Sequence, residues 1–487
     1  MTKSEQDKSG FKGTVAKAFA FSLIGNTGAK LFFMGAILAV LKIISKEDFG
    51  VANIVLAIFA ITESINEMGL GVALVQKKEM RSDQISALFW LSLLISLFLY
   101  PVLFFGAPIF AHFYEVEQLS PLIRIYGVVL VIYALNLVPR NTLVKELEFK
   151  KLAIIDNIAI VVSSGVMISS AWLGYGAFSI IFGDLTNRFL QLVGCYIVRP
   201  FIPRIDFGFS KIKDMFLFGV YATGSRLLYN FYTHADYLIV GKVFGAEALG
   251  IYTLAYRIIA DPVRTLAGVV NQVAYPTFSK LQKDHERLKK YFFTISRFSL
   301  LFVGSLLIII VVFIDWILLT GGYEKWLDAV PIAYIFAGVG VVRSISPLIP
   351  QLLNALGHAK KNFIYSMCMA IGMPLSFLVA SQINLMAVAW SWTIVYPLMV
   401  MILIFFGSSL LKYSFVKFTI KFYSSLPILA IIAAICFLIR ITFSSTYEIY
   451  PIMATIIALF LSIVAVFTIV FIKEKEMLLS LLKKDKK

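Results

Sequence analysis

The sequence predicts an all-α integral membrane protein with fourteen transmembrane helices, arranged as two pseudo-symmetric six-helix lobes followed by two C-terminal helices. Three observations predict this fold class. Hydrophobic residues fill 60% of the 487 positions, and charged residues fill only 15%. Long apolar segments follow one another with short connections, and Lys and Arg fall on alternate connections. A soluble globular protein is about 25% charged, so the composition excludes that class.

Each predicted helix is a continuous apolar run of about the 20 residues that cross a hydrocarbon core. A transmembrane β-barrel would show alternating stretches of about ten residues instead. The predicted spans are 17–42, 50–75, 85–108, 122–142, 152–173, 177–198, 215–241, 248–277, 292–319, 329–356, 362–380, 385–406, 422–443 and 449–472. Together they leave no room for a separate soluble domain.

Basic residues predict the orientation. The loops on the side of the N-terminus hold 31 Lys and Arg, whereas the loops on the opposite side hold 4. Because cytoplasmic loops are enriched in Lys and Arg, both termini are expected in the cytoplasm. The net charge of +16 is therefore a signature of topology, and no nucleic-acid partner is expected. Attraction to anionic membrane lipids is its by-product.

An internal repeat predicts the two lobes. Residues 38–50 and 238–250 share Leu, Val, Lys, Glu and Gly at equivalent positions, and both lie at the turn between the first two helices of a set of six. A well-capped tight turn is a sufficient interpretation of these residues. The predicted divisions are an N-terminal lobe 1–198, a cytoplasmic linker 199–214, a C-terminal lobe 215–406, and helices 13 and 14 with a basic cytoplasmic tail, 407–487. A path is expected between the lobes.

Charged residues inside the predicted spans are candidate functional groups, because a charge at the bilayer centre costs about 3 kcal/mol. The bases at depth are Lys30, Arg188, Arg226, Arg257, Arg264 and Arg343, and the acids are Glu63, Glu67, Asp184, Asp236 and Asp261. These side chains must face ionic partners or a water-filled cavity rather than lipid.

Some of these charges are spaced to form pairs. Asp184 and Arg188 lie four residues apart on one helical face, as do Arg257 and Asp261. A neutral pair that stabilises packing accounts for these four as well as a functional role does.

Other charges are not paired along their own helix. Lys30 and Arg226 have no acid within four positions, and the repeat places them in the first helix of each half. They form a candidate anion site, although either base can also reach an acid on another helix. Glu63 and Glu67 repel each other at a spacing of four and favour a cation, a proton or a basic neighbour.

Other chemistries lack a sequence signal. The chain has no Walker sequence and no glycine loop that would cradle a phosphate, and its 3 Cys and 4 His follow no ligand pattern. Neither a metal nor a cofactor is expected. No loop exceeds about twenty residues, which leaves little room for an extramembrane active site, so an enzyme is not expected.

Loose motifs carry a resemblance to a known family. They are Glu47-Asp-Phe-Gly50, Glu67-Met-Gly-Leu-Gly71-Val-Ala-Leu, Asp236-Tyr-Leu-Ile-Val-Gly241, Leu249-Gly-Ile-Tyr252, and Tyr256-Arg257 followed by Pro262. The chain resembles the Wzx-type lipid-linked oligosaccharide flippases, in the superfamily that also holds the multidrug (MATE) exporters and the lipid II flippases. The similarity covers most of the chain and is strongest over 40–80 and 215–280.

The resemblance implies a bacterial inner-membrane protein that flips undecaprenyl-diphosphate-linked oligosaccharides by alternating access, for cell-surface polysaccharide synthesis. It implies that central cationic residues bind the diphosphate and sugar, and the candidates are Lys30, Arg226, Arg188, Arg264 and Arg343. Coupling to H⁺ or Na⁺ is assigned to Glu63, Glu67 or Asp236. Expected partners are the lipid-linked substrate, membrane lipids, a polysaccharide polymerase and chain-length proteins.

Three alternatives remain open on the sequence. The first is an integral-membrane polysaccharide polymerase or ligase of the same pathway, which a deletion strain would distinguish by the intermediate it accumulates. The second is a multidrug exporter, although a surplus of buried bases suits cationic drugs poorly. The third is a membrane scaffold of a synthesis complex, in which the buried charges would have no role.

Overall fold

The computed structural model describes residues 28, 32–67, 69–76, 80–204 and 213–482. Within these ranges it leaves undescribed the side chains of residues 72, 76, 213–223, 226, 269, 272, 273 and 471–482. The chain divides into two compact units, residues 1–250 and 251–487. In the described ranges, the regular secondary structure is entirely helical.

The first unit contains eight helices and most of a ninth. They are α1 Phe32–Ile43, α2 Lys46–Glu67, α3 Leu70–Gln76, α4 Ser82–Tyr114, α5 Leu119–Tyr126, α6 Val128–Lys145, α7 Phe149–Trp172, α8 Ala177–Val198 and α9 Lys213–Leu281, which continues into the second unit. Gly245 interrupts α9 with φ 84° and ψ 174°, a conformation that side chains with a Cβ rarely adopt. This break lies in the predicted turn 242–247.

The second unit continues from α9 with nine helices and one short 3₁₀ turn. They are α10 His285–Thr320, the 3₁₀ turn Glu324–Trp326, α11 Ala329–Arg343, α12 Leu348–Ala355, α13 Ala359–Ser381, α14 Leu385–Leu410, α15 Phe415–Phe422, α16 Leu426–Thr442, α17 Ser444–Ile449 and α18 Pro451–Leu482.

The predicted membrane class is confirmed, since eleven helices of the described residues are long and apolar enough to cross a bilayer. The segment Leu227–Gly268 counts as one of them, although it joins two predicted spans across Gly245. The helix Ala177–Val198 has the predicted bounds of the sixth span but is not among the eleven. Of the predicted first span, 17–42, the structure describes Gly28 and 32–42.

Several predicted spans are broken helices, for local reasons. Gly69 separates α2 from α3 with φ 69°, which a residue with a Cβ would adopt only with strain. Pro347 precedes α12, and because its ring removes a backbone donor, α11 and α12 do not form one continuous helix. The sequence predicted a single span across each of these breaks, since hydropathy does not register them.

The two repeat-related turns touch each other in the first unit. A Cβ built on Gly50 would lie 1.7 Å from the carbonyl oxygen of Ala246, and one built on Gly250 would lie 2.0 Å from the carbonyl oxygen of Lys46. Residues 46 and 246 occupy the same position in the repeat, as do 50 and 250. The contact is therefore reciprocal, in the manner of a two-fold interface. Only glycine permits this approach of the two backbones.

The turn before α2 also reaches the start of α8. The carboxylate of Asp48 accepts hydrogen bonds from the Ala177 backbone N–H at 3.1 Å and from the Ser45 hydroxyl at 2.7 Å. A carboxylate at a helix N-terminus is stabilised by the helix dipole. The sequence placed this acid at the start of its own helix, and the structure shows that it also caps a second one.

Three of the four bases in the predicted outer loops are neutralised by acids. The pairs are Lys46–Glu247 at 3.8 Å, Lys242–Glu115 at 2.9 Å and Arg440–Asp315 at 2.5 Å. The hydrogen bond from Lys242 lowers the pKa of the Glu115 carboxyl. Its contribution to stability is therefore present above the usual carboxyl pKa and is lost as the pH falls through the lowered value.

The glycine contact predicts the effect of adding a single methyl group. Gly50→Ala and Gly250→Ala should each lower the free energy of unfolding by about 1–3 kcal/mol, because the added Cβ meets backbone atoms that cannot rotate away. Gly165→Ala in α7 is the matched control, since nothing lies within 4 Å of its Cβ position. Thermal unfolding of the purified proteins in detergent measures the difference. Equal melting temperatures for the three variants would contradict the contact.

Candidate functional site

The two bases that the sequence placed in a joint anion site lie outside the described structure. Lys30 belongs to the undescribed residues before α1, and the side chain of Arg226 in α9 is not described. Their proposed approach to one another therefore stays a prediction. The other candidate residues, Arg188, Arg264, Arg343, Glu63, Glu67 and Asp236, are all described.

Four side chains from α2, α5 and α8 meet in the first unit, and we call them the Arg188 cluster. The Arg188 guanidinium lies 3.4 Å from Asp184, as its spacing predicted, and 3.5 Å from Glu63. The Tyr126 hydroxyl donates to the same Asp184 oxygen at 2.5 Å. One base thus faces two carboxylates from different helices at distances longer than the 2.7–2.9 Å typical of strong charge-assisted bonds.

Polar residues extend the Arg188 cluster along α8. The Asn187 amide donates to the Ser163 hydroxyl of α7 at 3.2 Å, and the Gln191 amide donates to Asn187 at 2.8 Å. Asp184, Asn187, Arg188 and Gln191 follow the i, i+3, i+4, i+7 spacing of one helical face. Gln191 and Ser163 were not predicted from the sequence, although the polar stripe on α8 was a signal that could have indicated Gln191.

The remaining acids of the first unit lie in different surroundings. Asp236 in α9 is fully buried, with 0% of its surface exposed, and one of its oxygens accepts the Tyr237 backbone N–H at 2.9 Å. Glu67 is the last residue of α2 and lies beside the break at Gly69. The structure therefore brings Glu63, but not these two acids, into the Arg188 cluster.

Two asparagines, the buried Asn66 and the partly buried Asn230, join helices in the first unit. Asn66 donates to the Leu130 carbonyl at 3.2 Å and accepts from the Ser96 hydroxyl at 2.9 Å. Asn230 of α9 donates to the Ser64 hydroxyl of α2 at 2.6 Å. Interhelical bonds of this kind stabilise membrane bundles, which accounts for both amides without a substrate.

In the second unit, three aromatic side chains surround one base, and we call this group the Arg343 box. The guanidinium carbon of Arg343 lies 4.2 Å from the ring centre of Trp392, 5.1 Å from that of Tyr396 and 5.4 Å from that of Tyr256. Arg343 also donates to the Tyr256 hydroxyl. Ring faces stabilise a cation within about 6 Å of their centres. The sequence singled out Arg343 but gave no sign of its aromatic neighbours on α9 and α14.

Arg264 differs from the other bases because it is largely exposed. It pairs with Asp261 at 3.0 Å, three residues earlier on the same helix, and 79% of its side-chain surface is accessible. A pair this exposed contributes little to stability. Arg264 is therefore accessible to a ligand or a lipid headgroup, whereas Arg188 and Arg343 are held by the bundle.

The Arg188 cluster offers positive charge and carboxylates, and the Arg343 box offers positive charge and aromatic faces. These groups suit binding of an anion, a sugar face or a cation. In the described part of the chain, no group of three or more His, Cys, Asp and Glu could hold a metal ion.

Solved structures share this fold. The lipid II flippase MurJ in an inward closed conformation superposes with a TM-score of 0.71 over 96% of this chain and 99% of its own, at 17% identity. An inward-facing multidrug resistance MATE family transporter of the MOP superfamily superposes with a TM-score of 0.61 over 77% and 94%, at 14% identity. At these identities the likeness concerns the fold alone.

Sequence relatives point to a narrower group. The teichuronic acid biosynthesis protein TuaB of Bacillus subtilis (strain 168) is 30% identical over 68% of this chain and 69% of its own. The lipopolysaccharide biosynthesis protein WzxC of Escherichia coli (strain K12) is 26% identical over 80% and 81%. Residues 37–331 match the family described as polysaccharide biosynthesis protein. The chain belongs to the polysaccharide biosynthesis protein family.

Proposed function

We propose that this protein flips undecaprenyl-diphosphate-linked oligosaccharide repeat units across the bacterial inner membrane, for cell-surface polysaccharide synthesis. The observation that carries the proposal is the Arg188 cluster, an ionised group inside the helical bundle of a member of this family. Charged side chains within membrane-spanning bundles are costly and mark substrate or ion pathways, and those of this cluster are only partly exposed. The lipid II flippase fold and the polysaccharide-pathway names of the relatives support the same cargo class.

We further propose the full topology of fourteen spans with both termini in the cytoplasm. The excess of Lys and Arg on one set of loops supports it. The reciprocal contact of Gly50 and Gly250 supports two repeat-related lobes, 1–198 and 215–406, that alternate access.

The bases are assigned to the anionic end of the substrate. Guanidinium groups bind phosphate oxygens in a bidentate manner, so Arg188, Arg343 and the exposed Arg264 suit a diphosphate. We retain Lys30 and Arg226 in the same role. The rings of the Arg343 box present flat faces beside a base, which is a surface suited to a phosphorylated sugar.

Coupling to H⁺ or Na⁺ follows from competition for Arg188. While Glu63 and Asp184 are both ionised, they hold the guanidinium at 3.5 and 3.4 Å. A proton or Na⁺ on Glu63 would weaken that hold and release Arg188 toward an anionic substrate. Binding of the cation and of the substrate would then reinforce each other. Glu67 and Asp236 are the further candidates for the coupling ion.

The function is tested by the intermediate that a deletion strain accumulates. We expect lipid-linked repeat units on the cytoplasmic face, because flipping precedes polymerisation. Single units exposed on the outer face would indicate a polymerase or ligase instead. Purified protein in vesicles should also move a fluorescent lipid-linked sugar between leaflets. Normal surface polysaccharide in the deletion strain would refute the assignment.

Substitutions of Arg188 separate binding from packing. Arg188→Ala should reduce the flipping rate at least about tenfold, which corresponds to about 1.4 kcal/mol in activation free energy. The reason is that it removes the positive charge that Asp184 and Glu63 hold in place. Arg188→Lys should keep part of the activity, since it retains the charge without the planar fork. Glu63→Gln should retain flipping but lose its dependence on the ion gradient. Flipping is measured in vesicles with an imposed pH or Na⁺ gradient.

The exposed Arg199→Ala is the control for these variants, since its pair with Glu146 lies at a helix end. It should leave the rate unchanged. A gradient dependence of Glu63→Gln equal to that of the wild type would contradict the coupling role.

Substitutions in the Arg343 box test the aromatic surroundings. Arg343→Gln should lower the melting temperature, because it removes a cation stabilised by about 0.5–2 kcal/mol at each well-placed ring. It should also lower the affinity for an undecaprenyl diphosphate probe. Trp392→Leu should lower the melting temperature and should reduce the affinity for the undecaprenyl diphosphate probe less than Arg343→Gln does. Arg287→Gln, at an exposed pair with Asp284, is the control. Unchanged affinity in Arg343→Gln would remove Arg343 from the substrate site.

A further inference from the structure

The short helix α15 lies between the end of α14 and the start of α16. Its eight residues, Phe415–Phe422, extend about 12 Å, which is too short to cross a hydrocarbon core of about 30 Å. The Ser414 hydroxyl caps its first turn by accepting the Lys417 backbone N–H at 3.4 Å. Helix α15 is therefore a short, capped helix of about two turns that joins two spans without itself crossing the membrane.

One face of α15 is anchored in the protein core. Phe418 and Phe422 are both 0% exposed. The ring of Phe422 stacks on Phe292 of α10 at 5.8 Å with an angle of 7°, and Phe418 contacts Phe293 at 5.3 Å. These contacts fix the rotation of α15 about its own axis, so its other two faces have defined directions.

The second face is apolar and accessible. Val416 is 63% exposed and Ile420 is 68% exposed, four residues apart on one side of the helix. An apolar face turned outward from a membrane bundle faces acyl chains. In an aqueous loop, exposing the apolar side chains of Val416 and Ile420 to water would be unfavourable.

The third face is basic. Lys417 and Lys421 are exposed and four residues apart, and Lys412 is exposed just before the helix. The Lys421 ammonium lies 3.2 Å from the Tyr413 hydroxyl and 4.6 Å from the ring centre of Phe293. The Lys289 ammonium of α10 lies 5.7 Å from the centre of the Tyr413 ring. Lys289 is itself paired with Glu286 at 2.7 Å.

Three faces of this kind fit one position in a membrane. A helix with an anchored side, a lipid-facing side and a basic side lies in the plane of the interface, with its lysines at the level of the headgroups. Tyr413 beside it is a residue type enriched at this level. Helix α15 also belongs to the loops on the side of the N-terminus, where most Lys and Arg of the chain lie.

We propose that Lys412, Lys417 and Lys421 form a binding site for anionic phospholipid headgroups on the cytoplasmic side, with Val416 and Ile420 resting on the acyl chains. The occupant is a lipid of the surrounding bilayer, such as phosphatidylglycerol, rather than the lipid that is flipped. The site is separate from the Arg188 cluster and the Arg343 box, and only its assignment to the cytoplasmic side rests on the proposed topology.

The test compares phosphatidylglycerol binding by full-length protein in nanodiscs of phosphatidylcholine, measured by native mass spectrometry. Replacing Lys417 and Lys421 together by Gln should weaken binding about 25-fold, since each Lys near an anionic surface contributes about fivefold. Lys421→Arg should retain binding because it keeps the charge. Lys417→Gln alone should weaken binding about fivefold, and Lys325→Gln, in a loop predicted on the opposite side, is its control with the same charge change. Raising the salt concentration should reduce wild-type binding.

Three outcomes would overturn the proposal. The first is unchanged phosphatidylglycerol binding by the Lys417→Gln, Lys421→Gln protein, and the second is a loss in Lys325→Gln equal to that in Lys417→Gln. The third is loss of binding to undecaprenyl diphosphate by the double variant with phosphatidylglycerol binding intact, which would place the lysines on the substrate path. Flipping by the double variant in vesicles of phosphatidylcholine alone should equal that of the wild type. A failure of the lipid site would therefore leave the proposed function standing, and a failure of the proposed function would leave the lipid site standing.

Discussion

The cost of placing an ionised side chain in hydrocarbon governs this structure. Each charge at depth must be held by a carboxylate, an aromatic face or a polar group, because lipid provides none of these. The two units use different solutions. Arg188 is held by Asp184 and Glu63, whereas Arg343 is held by the rings of Trp392, Tyr396 and Tyr256. Both solutions keep a positive charge inside the protein, and the first ties that charge to two carboxylates, which can take up a proton.

The same cost bears on the loops predicted to lie on the outer side. Lys46, Lys242 and Arg440 lie there, and each pairs with an acid that is distant in the chain. Lys242 reaches Glu115 after α4, and Arg440 reaches Asp315 on α10. These ion pairs therefore join elements that are distant in the chain.

Backbone contact at the repeat-related turns adds a steric constraint to the electrostatic one. Gly50 and Gly250 bring two chain segments closer than any side chain would allow, and Asp48 ties the same turn to the start of α8. The turns are thus joined by main-chain packing and by polar bonds.

The sequence by itself determined the membrane class, the positions of most helices and the pair of Asp184 with Arg188. Hydropathy and i, i+4 spacing are local properties, so they can be read along the chain. Only the tertiary structure decided that Glu63 joins Arg188, that aromatic rings enclose Arg343, and that Asp48 caps α8. Those partners lie 49 to 129 positions apart in the chain and on different helices, and the rotation of each helix selects among the faces it can present. The break at Gly69 depends on a backbone dihedral angle that hydropathy does not register, whereas the break at Gly245 lies in a predicted turn.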